Sequence, residues 1–134
     1  MADSNSSGFR AGMVIGALFL ALGASCGAIG AHSLKAVLTP ERLDSWATAS
    51  WYLLAMGGGL LGASNLTHKQ ASRMALYAVI AGTILFSGSI MALVLMATFE
   101  VGESIRAFIG PLTPLGGLMM IGGWLVWAWQ KKGG

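Results

Sequence analysis

Few residues in this chain could do chemistry. His32 and Lys35 stand in the stretch "GAIGAHSLK" at 27–35, where a glycine-studded apolar run meets its first cation after Arg10. His68 is the other histidine and Cys26 the single cysteine. One thiol excludes an intramolecular disulfide and a Cys-based zinc cluster. A cysteine or serine nucleophile needs a base within hydrogen-bond reach. Cys26 and His32 are instead separated by roughly 9 Å along one helix axis. The two histidines are predicted at opposite membrane faces, which disfavours a bis-histidine haem. No catalytic residue, metal ligand or cofactor is expected.

An electrostatic role remains for His32 and Lys35. One turn apart on a continuing helix, both can face a common point. Thr113 is predicted on the same side as the N-cap of a last helix beginning at Pro114. There the helix presents unpaired amides and its positive end. A lysine beside that end requires a negative group between them, either Glu100 or Glu103 or a lipid phosphate. The sequence thus predicts an outer polar cluster of His32, Lys35 and Thr113, with Glu100 and Glu103 as acid partners and bound lipid as its possible ligand. Otherwise Lys35 snorkels to an interface and His32 caps a helix end.

The elements that position these residues follow from the shortage of charge. Of 134 residues, 55% are hydrophobic and 10% charged, with a mean hydropathy of +0.72. A soluble domain carries about 25% charged residues, so the bilayer is the expected solvent. A net charge of +3 is spread between apolar runs without a basic stripe, which argues against nucleic acid as a partner. Crossing a hydrocarbon core of about 30 Å takes roughly 20 apolar helical residues. Four stretches meet or approach that length, 11–31, 46–64, 74–99 and 108–129. The last opens with Pro111 and Pro114, so 108–112 is read as a non-helical approach.

The expected fold is all-α, a four-helix transmembrane bundle with short loops in one domain at 11–130, between a polar tail at 1–10 and a basic tail at 131–134. Arg10, Lys69, Arg73, Lys131 and Lys132 fall on one side, and Lys35, Arg42 and Arg106 on the other. The cation rule then predicts both termini in the cytoplasm, of a bacterial inner membrane. Trp46 and Trp51 open the second span while Trp124, Trp127 and Trp129 close the fourth, as interfacial indole anchors do. Two other signals carry less. "GASCGA" after Arg10 resembles a lipoprotein signal, but Gly23 stands where leucine is usual and apolar sequence runs on to Ala31. "NLT" at 65–67 is a short glycosylation match on a predicted cytoplasmic loop.

Lipid-embedded helices associate through close backbone approach and polar bonds, for which small residues are needed. Gly12, Gly16, Gly23, Gly27 and Gly30 are separated by 4, 7, 4 and 3 residues, keeping them on one helical face. Ala78, Gly82, Leu85, Ser89 and Ala92 form a second seam suited to left-handed packing. "GGGLLG" at 57–62 leaves the second span nearly bare, for packing or for unwinding around a substrate. No acid or base interrupts the four spans, whereas proton relays and ion-coupled carriers place such groups near mid-membrane. Thr83 and Ser87, one turn apart, can line a thin polar track or bond carbonyls one turn back.

Four segments, "GAIGAHSLK" (27–35), "TASWY" (48–52), "LFSGSI" (85–90) and "LTPLGGLMMIGGW" (112–124), in this order and spacing, resemble the small membrane family known as domain of unknown function 423. That family is similar to the eukaryotic transmembrane protein 256 group. The resemblance covers most of 12–129 and implies a compact four-helix membrane bundle with no established activity. The chain departs from the pattern at Leu53 and Met56, where members often carry glutamine and histidine, and at Met91, where they carry tyrosine. An intramembrane polar role at those positions does not carry over.

Two functions compete. One is a non-enzymatic accessory or structural subunit, or an assembly factor, packing against a larger membrane complex or against itself. Its motives are small-residue faces in excess of what one bundle needs and eight methionines, whose side chains adapt to irregular surfaces. The other is an oligomeric minimal channel or carrier for a small solute, motivated by "GGG", "SGS" and the broken start of the fourth span.

Overall fold

A computed structural model describes residues 3–65 and 70–131, with side chains over 10–65 and 73–130. His68, Lys69, the "NLT" threonine and Lys132 lie outside the described residues, as does the side chain of Lys131. Five helices and no strand are found among the described residues: α1 (Asp3–His32), α2 (Pro40–Ser64), α3 (Gln70–Thr98), α4 (Glu103–Ile109) and α5 (Leu112–Lys131), with a 3-10 turn at Leu34–Ala36. Among the described residues three stretches are long and apolar enough to cross a membrane, Arg10–Ala36, Arg73–Thr98 and Glu103–Gln130. The fourth long helix, α2, has 25 residues, about 37 Å of helix. Its glycines and hydroxyls lower its hydropathy.

Local chemistry sets the ends. Thr39 is extended (φ −66°, ψ 158°) and its hydroxyl accepts from the Arg42 N–H, with Pro40 at the first helical position. This cap starts α2 six residues before the expected Trp46. Glu41 lies in that first turn; its own backbone N–H, then the Thr39 hydroxyl and more weakly Arg42, hold its carboxyl below the usual value. α3 ends in a reverse turn in which Val101 N–H reaches the Met96 carbonyl at 3.0 Å. Glu100 takes the left-handed position (φ 55°) where such turns usually carry glycine. Gly102, also left-handed (φ 65°), precedes α4.

Here the structure corrects the expected approach at 108–112. Phe108 and Ile109 end the helix α4, the break is confined to Gly110–Pro111, and α5 begins at Leu112. Thr113 is therefore inside the helix and not its cap. Pro114 falls in the first turn, where a missing N–H removes no intrahelical bond. At 20 residues, α5 is about 30 Å long, enough for the hydrocarbon core.

α1 packs on α2, α2 on α3 and α3 on α5. Gly12 meets Ser64 at one end of the first pair and Gly30 meets Trp46 at the other, so the two run antiparallel. Arg42 Nη1 donates to Thr98 Oγ1 at 3.3 Å, tying the start of α2 to the end of α3. The core joins Phe19 of α1, Leu53 and Leu60 of α2 and Leu76, Val79 and Ile80 of α3, flanked by Trp124 and Trp127. A smaller cluster of Leu38, Trp46 and Val94 closes the end that carries Lys35, Arg42 and Glu100.

Candidate functional site

Glycine sets the spacing of both helix pairs. A Cβ at Gly16 would stand 2.9 Å from the Gly57 carbonyl, one at Gly23 2.9 Å from Leu54 N, and one at Gly30 2.7 Å from the Trp46 ring. At Gly12 it would collide with the Ser64 hydroxyl. Gly27 stands apart from the other four: a Cβ there would meet Ser50 Cβ at an ordinary 4.0 Å. On α3, a Cβ at Gly82 would come within 2.7 Å of the Gly116 carbonyl, and Gly116 approaches Gly82 and Phe86 in return.

The buried hydroxyls bond carbonyls. Ser50, Ser64 and Thr83 donate one turn back, to Trp46, Leu60 and Val79. Ser87 donates across the interface to the Ala49 carbonyl at 2.9 Å, joining α3 to α2. Ser89 and Thr113 share a hydrogen bond of 2.6 Å between α3 and α5. The structure thus pairs Thr113 with Ser89, on the α3–α5 side. His32 and Lys35 lie exposed beyond the α1–α2 pair. Glu100 and Glu103, both exposed, belong to the α3–α4 connection at this same end.

The five tryptophans divide by environment. Trp46, at the start of the expected second span, is buried within the protein, and its indole N–H donates to the Cys26 carbonyl at 2.8 Å. Trp124 fills the space above Gly59, directs its N–H at the Met56 sulfur and meets the edge of Trp127 at 5.9 Å. Trp51 and Trp129 face outward, at 69% and 81% exposure.

Two surfaces stand out. The first is an outward face of α2, where Trp51, Ala55, Gly58 and Gly62 are all exposed and a Cβ at either glycine would meet nothing within 4 Å. Its 4, 3, 4 spacing was present in the sequence but hidden by the surrounding glycines. The second is an open-sided hollow of about 560 Å³ between α1 and α2, with Gly27 and Trp51 in its walls and Lys35 and Asp44 among its lining.

A family model described as "Protein of unknown function (DUF423)" matches residues 26–117, the length that carries the Gly27–Gly30 end of the glycine seam, the capped α2 and the Ser89–Thr113 contact. The chain belongs to the DUF423 family. This DUF423 chain is similar to a UPF0382 membrane protein of Schizosaccharomyces pombe, 40% identical over 111 residues that cover 82% of the chain and 92% of the relative. A UPF0382 membrane protein of Staphylococcus haemolyticus is 33% identical over 116 residues, 85% of the chain and 88% of the relative. The YwdK protein of Bacillus subtilis, also named a UPF0382 membrane protein, is 29% identical over 118 residues, 85% of the chain and 89% of the relative. No solved structure matches the chain. The DUF423 member is therefore a small helical membrane protein; with relatives in yeast and bacteria alike, membership carries the membrane and not which membrane.

Proposed function

We propose that this protein is a non-enzymatic accessory subunit or assembly factor that binds a helix of a larger membrane complex through the outward face of α2. The observation that carries this reading is the pair Gly58 and Gly62. Each has open space where its side chain would be, whereas Gly57 and Gly59 of the same helix are filled by α1 and by Trp124. Small residues four apart let a second backbone come close, which is how helices associate where lipid removes the hydrophobic drive. Ala55 and Trp51 extend the row toward the membrane surface, and an exposed indole is a frequent anchor at protein interfaces. Bonding of the buried hydroxyls to helix carbonyls supports packing over conduction.

The test is purification in mild detergent followed by mass measurement of the intact particle. Stoichiometric association with other gene products is expected, lost on Gly58→Ile with Gly62→Ile while the helix content of the chain is retained. A closed ring of identical chains that tolerates both substitutions would overturn the reading in favour of a channel or carrier.

A further inference from the structure

The hollow between α1 and α2 meets the α2 row only at Trp51, contains neither Gly58 nor Gly62 in its lining, and has a polarity of its own. Its walls are the small residues Gly23, Gly27, Ala28 and Ala31 of α1, facing Leu54 and Trp51 of α2. From Gly23 to Gly30 it runs about 11 Å along α1, and from Asp44 to Leu54 about 15 Å along α2. Two polar groups in the wall are already used. The Ser50 hydroxyl donates to the Trp46 carbonyl and the Trp46 indole to the Cys26 carbonyl, so both present carbon to the hollow. Lys35 and Asp44 lie at the end where α1 stops and α2 begins. Both are exposed.

We infer that the hollow holds one phospholipid with a zwitterionic head bearing a primary ammonium, its phosphate toward Lys35, its ammonium toward Asp44 and the upper part of an acyl chain along the Gly27 wall. Three observations select this occupant. An apolar slot open at its side admits an acyl chain from the bilayer. Charges of both signs at its interfacial end match a head of both signs, whereas an anionic head would face repulsion from Asp44. A volume of about 560 Å³ lies within the roughly 300–1,000 Å³ of small-molecule sites; a spanning helix, 10–12 Å across and about 30 Å long, cannot be enclosed by it.

The test is lipid analysis and native mass measurement of the full chain delipidated in detergent and then supplied with phosphatidylethanolamine or phosphatidylglycerol. One phosphatidylethanolamine per chain is expected, in preference to phosphatidylglycerol. Lys35→Met should weaken retention about fivefold, the effect of one surface cation on a lipid phosphate. Asp44→Asn should remove the preference for the ethanolamine head. Gly27→Leu, whose side chain enters open space, should expel the lipid with helix content unchanged. The two charge substitutions are at exposed positions, which separates lost binding from failed folding. Equal retention of both lipids by the wild type, or wild-type retention by Gly27→Leu and Lys35→Met, would overturn the assignment. So would release of a protein subunit instead of lipid by Gly27→Leu. Association through Gly58 and Gly62 is read separately and can fail or hold without it.

Discussion

At the residue scale, the decisive quantity is the space in front of each glycine. Gly23 faces Leu54 N at 2.9 Å and the Ser50 carbonyl at 3.0 Å, so Gly23→Leu forces backbones apart and should cost 1–3 kcal/mol or more, in the manner of other overpacking changes, roughly. Gly27→Leu should leave the α1–α2 pair intact. Thermal aggregation in detergent separates the two, and equal loss from both would mean that the seam is wrongly placed. Four of the five seam glycines were legible from spacing alone. Gly27 was not, because at 3.6 residues per turn it lies farthest round the helix from the line through Gly12, Gly23 and Gly30, and a small rotation moves it from the contact to its edge. The partner of Trp46 is not legible for another reason: an indole opening a span looks alike whether its N–H meets a lipid head or a carbonyl of the neighbouring helix, here Cys26. Glu100 offers a gain in stability. A non-glycine residue in the left-handed region costs about 1–2 kcal/mol, so Glu100→Gly should raise resistance to unfolding in mixed micelles by up to about 1 kcal/mol, once the greater freedom of glycine in the unfolded chain is set against it.

At the scale of elements, polar bonds between helices weigh more than those a helix makes with itself. Ser87→Ala removes the bond to the Ala49 carbonyl and should cost about 0.6 kcal/mol, the average for such bonds in membrane bundles. Thr83→Val removes a bond within α3 and should be nearly neutral. Unfolding in mixed micelles measures both, and a larger loss from Thr83→Val would contradict this ordering. The first turn of α2 adds a pH dependence. Because the folded-state value of the Glu41 carboxyl is lowered, its contribution is complete above the unfolded value and fades as pH falls through the folded one. The protection of backbone amides at the start of α2, taken relative to their intrinsic exchange rate at each pH, should therefore fall in acid in the wild type and change less in Glu41→Gln. The Thr-Pro-Glu run that builds this turn carries the signature of a cap, but as a polar stretch it falls outside any unbroken apolar span. The two prolines before α5 suggest a long break, whereas Pro114 sits where a helix tolerates proline and only Gly110–Pro111 separates α4 from α5.

At the scale of the whole molecule, the antiparallel order of α1, α2, α3 and α5 gathers Lys35, Arg42, Glu100, Glu103 and Arg106 at one end, with Arg10 and Arg73 at the other. The cation rule predicts both termini in the cytoplasm, an expectation that thiol labelling tests. Cysteines placed at Val37 and Asn65 in a Cys26→Ser background should accordingly react with impermeant thiol reagents from opposite sides of the membrane, Val37 from outside. The membrane character, the helical class and the small-residue seams could be read from composition and periodicity. Which glycines look inward could not, since Gly57 to Gly59 and Gly62 differ in sequence by nothing but register.

That register makes the central claim directly testable in the membrane. A photo-crosslinking side chain at Gly58 should give one adduct of discrete mass with another polypeptide, abolished by Gly62→Ile at unchanged expression. The same group at Leu118, an exposed apolar position on α5, should give no discrete protein adduct. Equal labelling from the two positions, or a Gly58 adduct indifferent to Gly62→Ile, would contradict the assignment of the α2 face as the docking surface.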